Sequence, residues 1–422
     1  MRKTLYWFQT LILFLVVPVH HAFSSWELMI NNNNSNNSIK RNQIRSTHKH
    51  RKENGLILLD ASSSSGSGIS QTPTSSSSSC SSSDKTSLKY YSFDGWNLSY
   101  RTIASHASDD DKNKNKNGKA SSPAANHKIL LIHPVGVGLA SWFWGPFLNS
   151  INDDRDQNNK NDGNIKIMET KKAHSYYAPN LIGCGISEGS DAWDPNKRGL
   201  FIPLGWVRGC EAFMNHIDDS IYDDDDDDDD SNISKNNSSW TVVTQGGLAP
   251  IGILLADRNP KQVRRLVLTS PPTWEDITTA VPENELERNY NFLRSPILGK
   301  LAFLLLESRT AIEFFSNQFL FSNKCDNVWL DKTEQEFGVD ARPPVQVFNA
   351  GMCMNRGLQS ELMTLKQSTL IIQGEDDKRQ RQEYSQNMKH CQLVTLPGQN
   401  VVSWEYPKAM ANHLEDWIEY NN

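Results

Sequence analysis

The sequence predicts an α/β protein: a doubly wound, mostly parallel sheet with a helical cap inserted before the last two strands. Three observations predict it. Apolar runs of strand length recur at KILLIH (128–133), TVVT (241–244), VRRLVLTS (263–270) and TLIIQ (369–373), and continuous apolar runs suit strands buried on both faces of a parallel sheet. Helical patterns separate these runs. Between about 271 and 365 the alternation stops and only helical patterns occur, after which strand and helix return.

In order along the chain, YYSFDGWNLSYRTI (90–103) reads as two strands around an Asp94-Gly95 turn, with order beginning near Lys89. KILLIH is the first parallel strand, residues 142–151 a helix, 175–178 a second parallel strand and 205–217 a further helix. TVVT is followed by Gln245, Gly246 and Gly247, then by a helix at 248–257 and the strand VRRLVLTS. In the cap, PILGKLAFLLL (296–306) and residues 311–321 read as helices. Segments this apolar are expected to be core, packed over the C-terminal edge of the sheet; the other reading is a lipid-facing patch. TLIIQ and QLVTL (392–396) complete the sheet. A last helix places Met410, Leu414, Trp417 and Ile418 on one face.

The chain has 422 residues, but runs rich in Asn, Ser, Lys and Asp contain too few apolar residues to build a core. These give a folded domain at 89–422, interrupted by disordered insertions at 107–126, 152–165 and 218–239, with the cap at about 271–365. About 280 residues then remain to fold, the size of one α/β domain with a cap. The net charge of −6 owes much to eight consecutive aspartates at 223–230, read as a solvated loop because flexible like charges are costly to gather around a cation. Six cysteines show neither a disulfide framework nor zinc spacing. No phosphate loop, metal cluster or basic nucleic-acid surface is recognisable, and no cofactor is expected.

At the N-terminus, Arg2 and Lys3 precede LILFLVV (11–17), too short to span a bilayer and suited to a signal peptide at 1–22. Residues 23–88 are Asn- and Ser-rich, with no acidic residue between 28 and 52, as in a transit peptide. The junction around His21-Ala22-Phe23 resembles the bipartite plastid-targeting sequences of diatoms and related algae. Plastid delivery is expected, with secretion as the alternative, and the processed protein is not expected to be integral to a membrane.

From about Lys89 onward, order, spacing and motifs resemble the α/β-hydrolase superfamily. HPVGVG (133–138) resembles its oxyanion loop, and APNLIGCGIS (178–187) its Asp-Leu-x-Gly-x-Gly-x-Ser loop. Residues 369–377 resemble the strand and turn that bear the catalytic acid, and WEYP (404–407) the Glu-x-Pro that opens the last helix. The combination of HPVGVG, QGGLAP (245–250) and WEYP is most similar to a cyanobacterial and plastid branch. The resemblance implies a nucleophile elbow at 241–250, with Gly246 in the nucleophile's place. It also places Asp377 at the acid, Asn400 at the histidine, and the amides of Val135 and Gly247 at the oxyanion hole, with Gln245 and His133 alongside.

Acyl transfer on this fold needs a nucleophile, a histidine to take its proton and an acid to orient the histidine. Gly246 carries no nucleophile, and Asn400 is no general base near neutral pH. Of the later histidines, His390 precedes the last strand and His413 lies inside the last helix. GISEG (185–189) fits G-x-S-x-G, but it lies within a loop and no helix follows, so Ser187 reads as a loop serine bonded to nearby backbone. Cys184 and Cys353 read as small buried groups. A non-glycine residue at an elbow tip is strained and normally retained for function, whereas glycine adopts that geometry freely. The expectation is a non-catalytic protein binding a small lipophilic or acyl ligand in a capped pocket, or a protein partner on its surface. The alternative is a hydrolase acting on an ester of a hydrophobic plastid metabolite, with Asp377, or a water held by Asn400 and Gln245, standing in for the triad.

Overall fold

The computed structural model describes residues 86–103, 127–160, 174–193, 202–222 and 239–421. The expected signal peptide, nearly all of the transit-like segment and the insertion at 107–126 lie outside the described residues. An eight-stranded sheet runs in the order β1-β2-β4-β3-β5-β6-β7-β8. Its strands are β1 (Ser87–Phe93), β2 (Trp96–Ile103), β3 (Lys128–Ile132), β4 (Ser175–Pro179), β5 (Trp240–Gln245), β6 (Val263–Thr269), β7 (Ser368–Gly374) and β8 (Cys391–Leu396). β1 and β2 form a hairpin whose turn residues Asp94 and Gly95 both have positive φ, at 51° and 85°. β2 pairs antiparallel with β4, and all later pairings are parallel.

Alternation on the central strands divides the core into two layers. Leu130, Ile132, Val242, Leu266, Leu268 and Ile371 face one layer, while Ile129, Leu131, Val243, Val267, Leu370 and Ile372 face the other, as the period of two along a strand requires. Helices cover both faces: α1 (Gly145–Lys160), α2 (Leu204–Tyr222) and α3 (Ala249–Arg258) come from the sheet connections. Two expected boundaries move outward. The helix expected at 142–151 begins as a 3-10 turn and continues to Lys160, and the one expected at 205–217 continues to Tyr222. Both run past the starts assigned to polar insertions, because an established helix propagates through polar residues one hydrogen bond at a time.

The cap comprises α4 (Trp274–Thr278), α5 (Glu283–Arg294), α6 (Leu298–Leu306), α7 (Arg309–Phe315), α8 (Asn327–Glu336), α9 (Arg342–Asn349) and α10 (Gln359–Thr364). Trp329 on α8 fastens it to the body. Its ring meets Trp142 at 5.4 Å and Trp404 at 5.1 Å, edge to face, and its indole N–H donates to Ser316 Oγ at 2.9 Å. Helices α11 (Gln382–Asn387), α12 (Val402–Glu405) and α13 (Pro407–Tyr420) complete the chain. Met410, Leu414, Trp417 and Ile418 on α13 are all buried, as the periodicity requires. The expectation that 296–306 packs inward holds on one side only: α6 buries Gly299, Ala302 and Phe303 and turns leucines outward. Among the described residues, no helix is long and apolar enough to cross a membrane.

At the opposite edge a polar clamp gathers the starts of β3 and β5 and the residue before β6. Asp218 on α2 accepts from Lys128 Nζ at 2.5 Å, Trp240 Nε1 at 3.1 Å and Gln262 Nε2 at 2.7 Å. Beside it, His127 Nε2 and Thr241 Oγ1 share a 2.6 Å hydrogen bond.

Candidate functional site

Three strand ends converge at the C-terminal edge of the sheet. β5 stays extended through Gln245, and Gly246 then turns the chain with φ of 62° into a 3-10 turn that leads into α3. This is the strand-turn-helix geometry of a nucleophile elbow, with glycine at its tip. A β-carbon placed on Gly246 would meet nothing within 4 Å, so the space for a nucleophilic side chain persists without one. Its neighbour is hemmed in: a β-carbon on Gly247 would lie 2.6 Å from Cζ of Phe348 on α9. A cap helix thus rests its aromatic ring on the elbow.

The position expected for histidine is tied to the same elbow. Gln245 Nε2 donates to the backbone carbonyl of Asn400 at 2.9 Å, and Thr269 Oγ1 donates to Gln245 Oε1 at 2.7 Å. Gln245 thereby bridges the end of β6 and the loop after β8. That loop is pinned from the other side as well. Asn400 N–H donates to the Leu320 carbonyl at 2.9 Å, while Glu405 accepts from Gln399 N–H at 2.9 Å and from Ser322 N–H at 2.8 Å. The glutamate of WEYP therefore holds the loop against the cap.

Asp377 lies on the adjacent turn, but its carboxylate is engaged elsewhere. Arg379 donates from Nε and from its terminal nitrogen to the two oxygens, each at 3.0 Å, and Arg381 donates to Oδ2 at 2.8 Å. Burial alone would raise the Asp377 pKa; hydrogen bonds from Arg379 and the charges of both arginines outweigh it and hold the carboxyl below its ordinary value. Arg381 is fully buried, and its Nε also donates to the Pro271 carbonyl at 2.6 Å, capping the segment that leaves β6. An acid held by two cations has little left with which to orient a base. Arg379, Arg381, Thr269 and Phe348 were not foreseen as site residues from the sequence. The available signal was the cluster of basic residues directly after Asp377: Lys378, Arg379 and Arg381.

The oxyanion loop leaves β3, whose Ile132 is in register with Thr244 of β5, so Val135 follows beside the elbow. The Gly247 amide lies in the first turn after β5, where no intrahelical acceptor exists. His133 is wholly buried and serves this architecture. Its Nε2 accepts from Leu181 N–H at 3.1 Å, which leaves Nδ1 to donate to the Pro134 carbonyl at 2.7 Å. Ser187 Oγ accepts from Ser99 N–H at 2.9 Å and lies within a polar network with Ser99 and Asn180. Cys184 and Cys353 are buried, and burial raises both thiols far above their ordinary range.

Burial also pushes the His133 pKa down to about 4. At His127, burial together with the nearby Arg265 and His174 pushes it to about 3. In the unfolded chain both histidines titrate near 6.5. Their contribution to stability is therefore complete above about pH 6.5 and declines as pH falls toward about 4 and 3, because only the unfolded state takes up protons in that window. The expected slope is up to roughly 1.4 kcal/mol per pH unit for each. Urea unfolding at neutral pH and at about pH 5 measures it; a midpoint unchanged across that range would contradict the buried neutral assignment.

Two small cavities lie among the described residues. One, of about 10 Å³, lies between the oxyanion-loop residues Val137 and Gly138 and the cap residues Phe303 and Arg342. Another of about 10 Å³ lies beside Tyr91 and Trp206. Each has room for about one water, and neither is lined by Gly246, Asp377 or Asn400.

No family model matches the chain, and no curated protein does. Solved structures do match. Haloalkane dehalogenase DbeA from Bradyrhizobium elkani USDA94 aligns with a TM-score of 0.51 at 15% identity, over 80% of this chain and 99% of its own. DbjA aligns with a TM-score of 0.50 at 17% identity, over 79% and 97%. A membrane phospholipase A, described as a bacterial virulence factor, aligns with a TM-score of 0.50 at 15% identity, over 80% and 86%. At such identities the likeness is one of architecture alone. The chain has the α/β-hydrolase fold.

Proposed function

We propose that this protein is a non-catalytic member of that fold, working by binding rather than by hydrolysis. The observation that carries the reading is Gly246: the elbow turn is kept, and the group that would attack is missing from its tip. The surrounding residues support it. Asn400 has no base to offer, and Asp377 is committed to Arg379 and Arg381. What the edge retains is backbone N–H groups near a helix start, which suit a carbonyl or carboxylate. The ligand class proposed is a small lipophilic or acyl compound whose polar head sits at Gly246. Since Phe348 rests on Gly247, admitting its tail requires α9 to shift. A protein partner on the outer surface is the other binding mode.

The test is labelling of the purified protein with a fluorophosphonate probe, alongside hydrolysis of short- and long-chain p-nitrophenyl esters. The folded protein is expected to take up no probe and to release no nitrophenol above background, and extraction followed by mass spectrometry is expected to recover a bound lipophilic compound. Steady turnover that vanishes on Asp377→Ala, with the fold intact, would instead support a hydrolase of altered mechanism acting on an ester. That second reading draws on the hydrolases among the structural neighbours. We further propose delivery to a plastid, read from residues 1–88; a fluorescent fusion of that segment expressed in an alga with complex plastids tests it, and a secreted fusion would overturn it.

A further inference from the structure

Helix α6 is apolar on both its buried and its outer side, with Lys300 as its one charged residue. At about 100° per residue, Gly299, Ala302 and Phe303 fall on the side that is buried. On the opposite side Leu301 and Leu304 are each 54% exposed, Leu298 on the flank is 57% exposed, and Ile297 just before the helix is 69% exposed. A helix on a protein surface ordinarily turns polar residues to water, and one that is hydrophobic all round is ordinarily enclosed. Four large aliphatic side chains within two turns, left in water, mark an interaction surface.

Along this stretch of chain the charges are basic, bounded by Glu287 and by Glu307, which is paired with Arg342. From 288 through 306 the chain carries Arg288, Arg294 and Lys300 and no carboxylate. Lys300 is exposed and lies about one turn from both Ile297 and Leu304, on the flank of the stripe. Arg294 is exposed at the end of α5, directly before it. We propose that residues 294–306 form a docking surface for an anionic lipid bilayer. The aliphatic stripe enters the boundary between headgroups and acyl chains, and Arg294 and Lys300 sit at headgroup level. A second copy of the chain fits less well, because a two-fold contact through the same face brings like-charged flanks together. An anionic bilayer supplies the opposite charge around an apolar interior. This holds whether or not the elbow binds a ligand.

Flotation of the full chain with vesicles of phosphatidylcholine, with and without phosphatidylglycerol, tests the proposal. Binding is expected on the anionic vesicles and is expected to weaken with salt. Leu301→Glu with Leu304→Glu should lower partitioning by at least about tenfold. Arg294→Gln with Lys300→Gln should lower it about fivefold for each charge removed, on anionic vesicles only. All four side chains are exposed, and circular dichroism and melting curves establish that both variants fold. Equal binding by wild type and both variants would overturn the proposal and assign membrane affinity to another segment, such as residues 11–17. Absence of vesicle binding would overturn it too. A dimer in light scattering that the leucine variant abolishes, without vesicle binding, would assign the stripe to a second copy of the chain.

Discussion

Gly246→Ser combined with Asn400→His is expected to produce a folded protein that takes up a fluorophosphonate at position 246, slowly. The space at Gly246 is open, so the obstacle is conformational: a side chain at φ of 62° costs roughly 1–3 kcal/mol. The Asn400 loop is already fastened to the elbow through Gln245, which brings an imidazole placed there toward the new hydroxyl. Its orienting acid is the weak link. Asp377 is held by two arginines, and losing the orienting role of the acid costs on the order of 10⁴ in kcat in serine hydrolysis. Adding Arg379→Gln, which frees part of the carboxylate, is expected to raise the labelling rate further. Gly246→Ser alone should remain unlabelled, since a hydroxyl without a base is a poor nucleophile. A folded double variant that never labels would show that the elbow has been placed in the wrong register.

The largest loss of stability is expected from Asp377→Ala. Arg381 has no exposed side-chain surface, and Asp377 supplies its opposing charge. Removing one member of a buried, hydrogen-bonded pair leaves the other uncompensated, typically at a cost of about 3–5 kcal/mol. Arg379→Ala should cost much less, because that side chain is about a third exposed and leaves Arg381 paired. Urea denaturation of the two variants measures the difference. A drop below about 1 kcal/mol for Asp377→Ala would mean that Arg381 reaches water or another acceptor. The same measurement bears on function, because activity lost through unfolding must be told apart from activity lost through chemistry.

The central sheet was legible in the sequence because parallel strands buried on both faces read as apolar runs, as KILLI, TVVT and TLIIQ do in β3, β5 and β7. The elbow was legible because a strand, two glycines and a helix leave few registers, and φ at Gly246 agrees with the chosen one. The arginine clamp was not, since a sequence places Arg379 and Arg381 near Asp377 but does not say that both turn back upon it. Nor was the outer face of α6. In LGKLAFLLL a single charge, Lys300, sits among apolar residues on every side, so periodicity does not tell which face the core takes. Contact between Phe348 and Gly247 spans about a hundred residues of chain, and no local pattern records it.

The clamp around Asp218 bears on how this chain tolerates its own length. The connections 104–126, 161–173 and 223–238 all feed into the starts of β3, β4 and β5, at the edge farthest from the elbow. There Lys128 and Trp240, at the starts of β3 and β5, and Gln262, just before β6, are gathered on one carboxylate, and Ser175 at the start of β4 donates its N–H to the His127 carbonyl at 3.1 Å, so the strand starts are held by contacts that do not depend on the connectors. The entropic cost of joining two fixed ends rises only with the logarithm of the length of chain between them, about 0.6 kcal/mol for each doubling. Asparagine and aspartate repeats can therefore lengthen or shrink at these three junctions for a fraction of the free energy of a single core substitution, while the geometry of Gly246 and its neighbours is left unchanged.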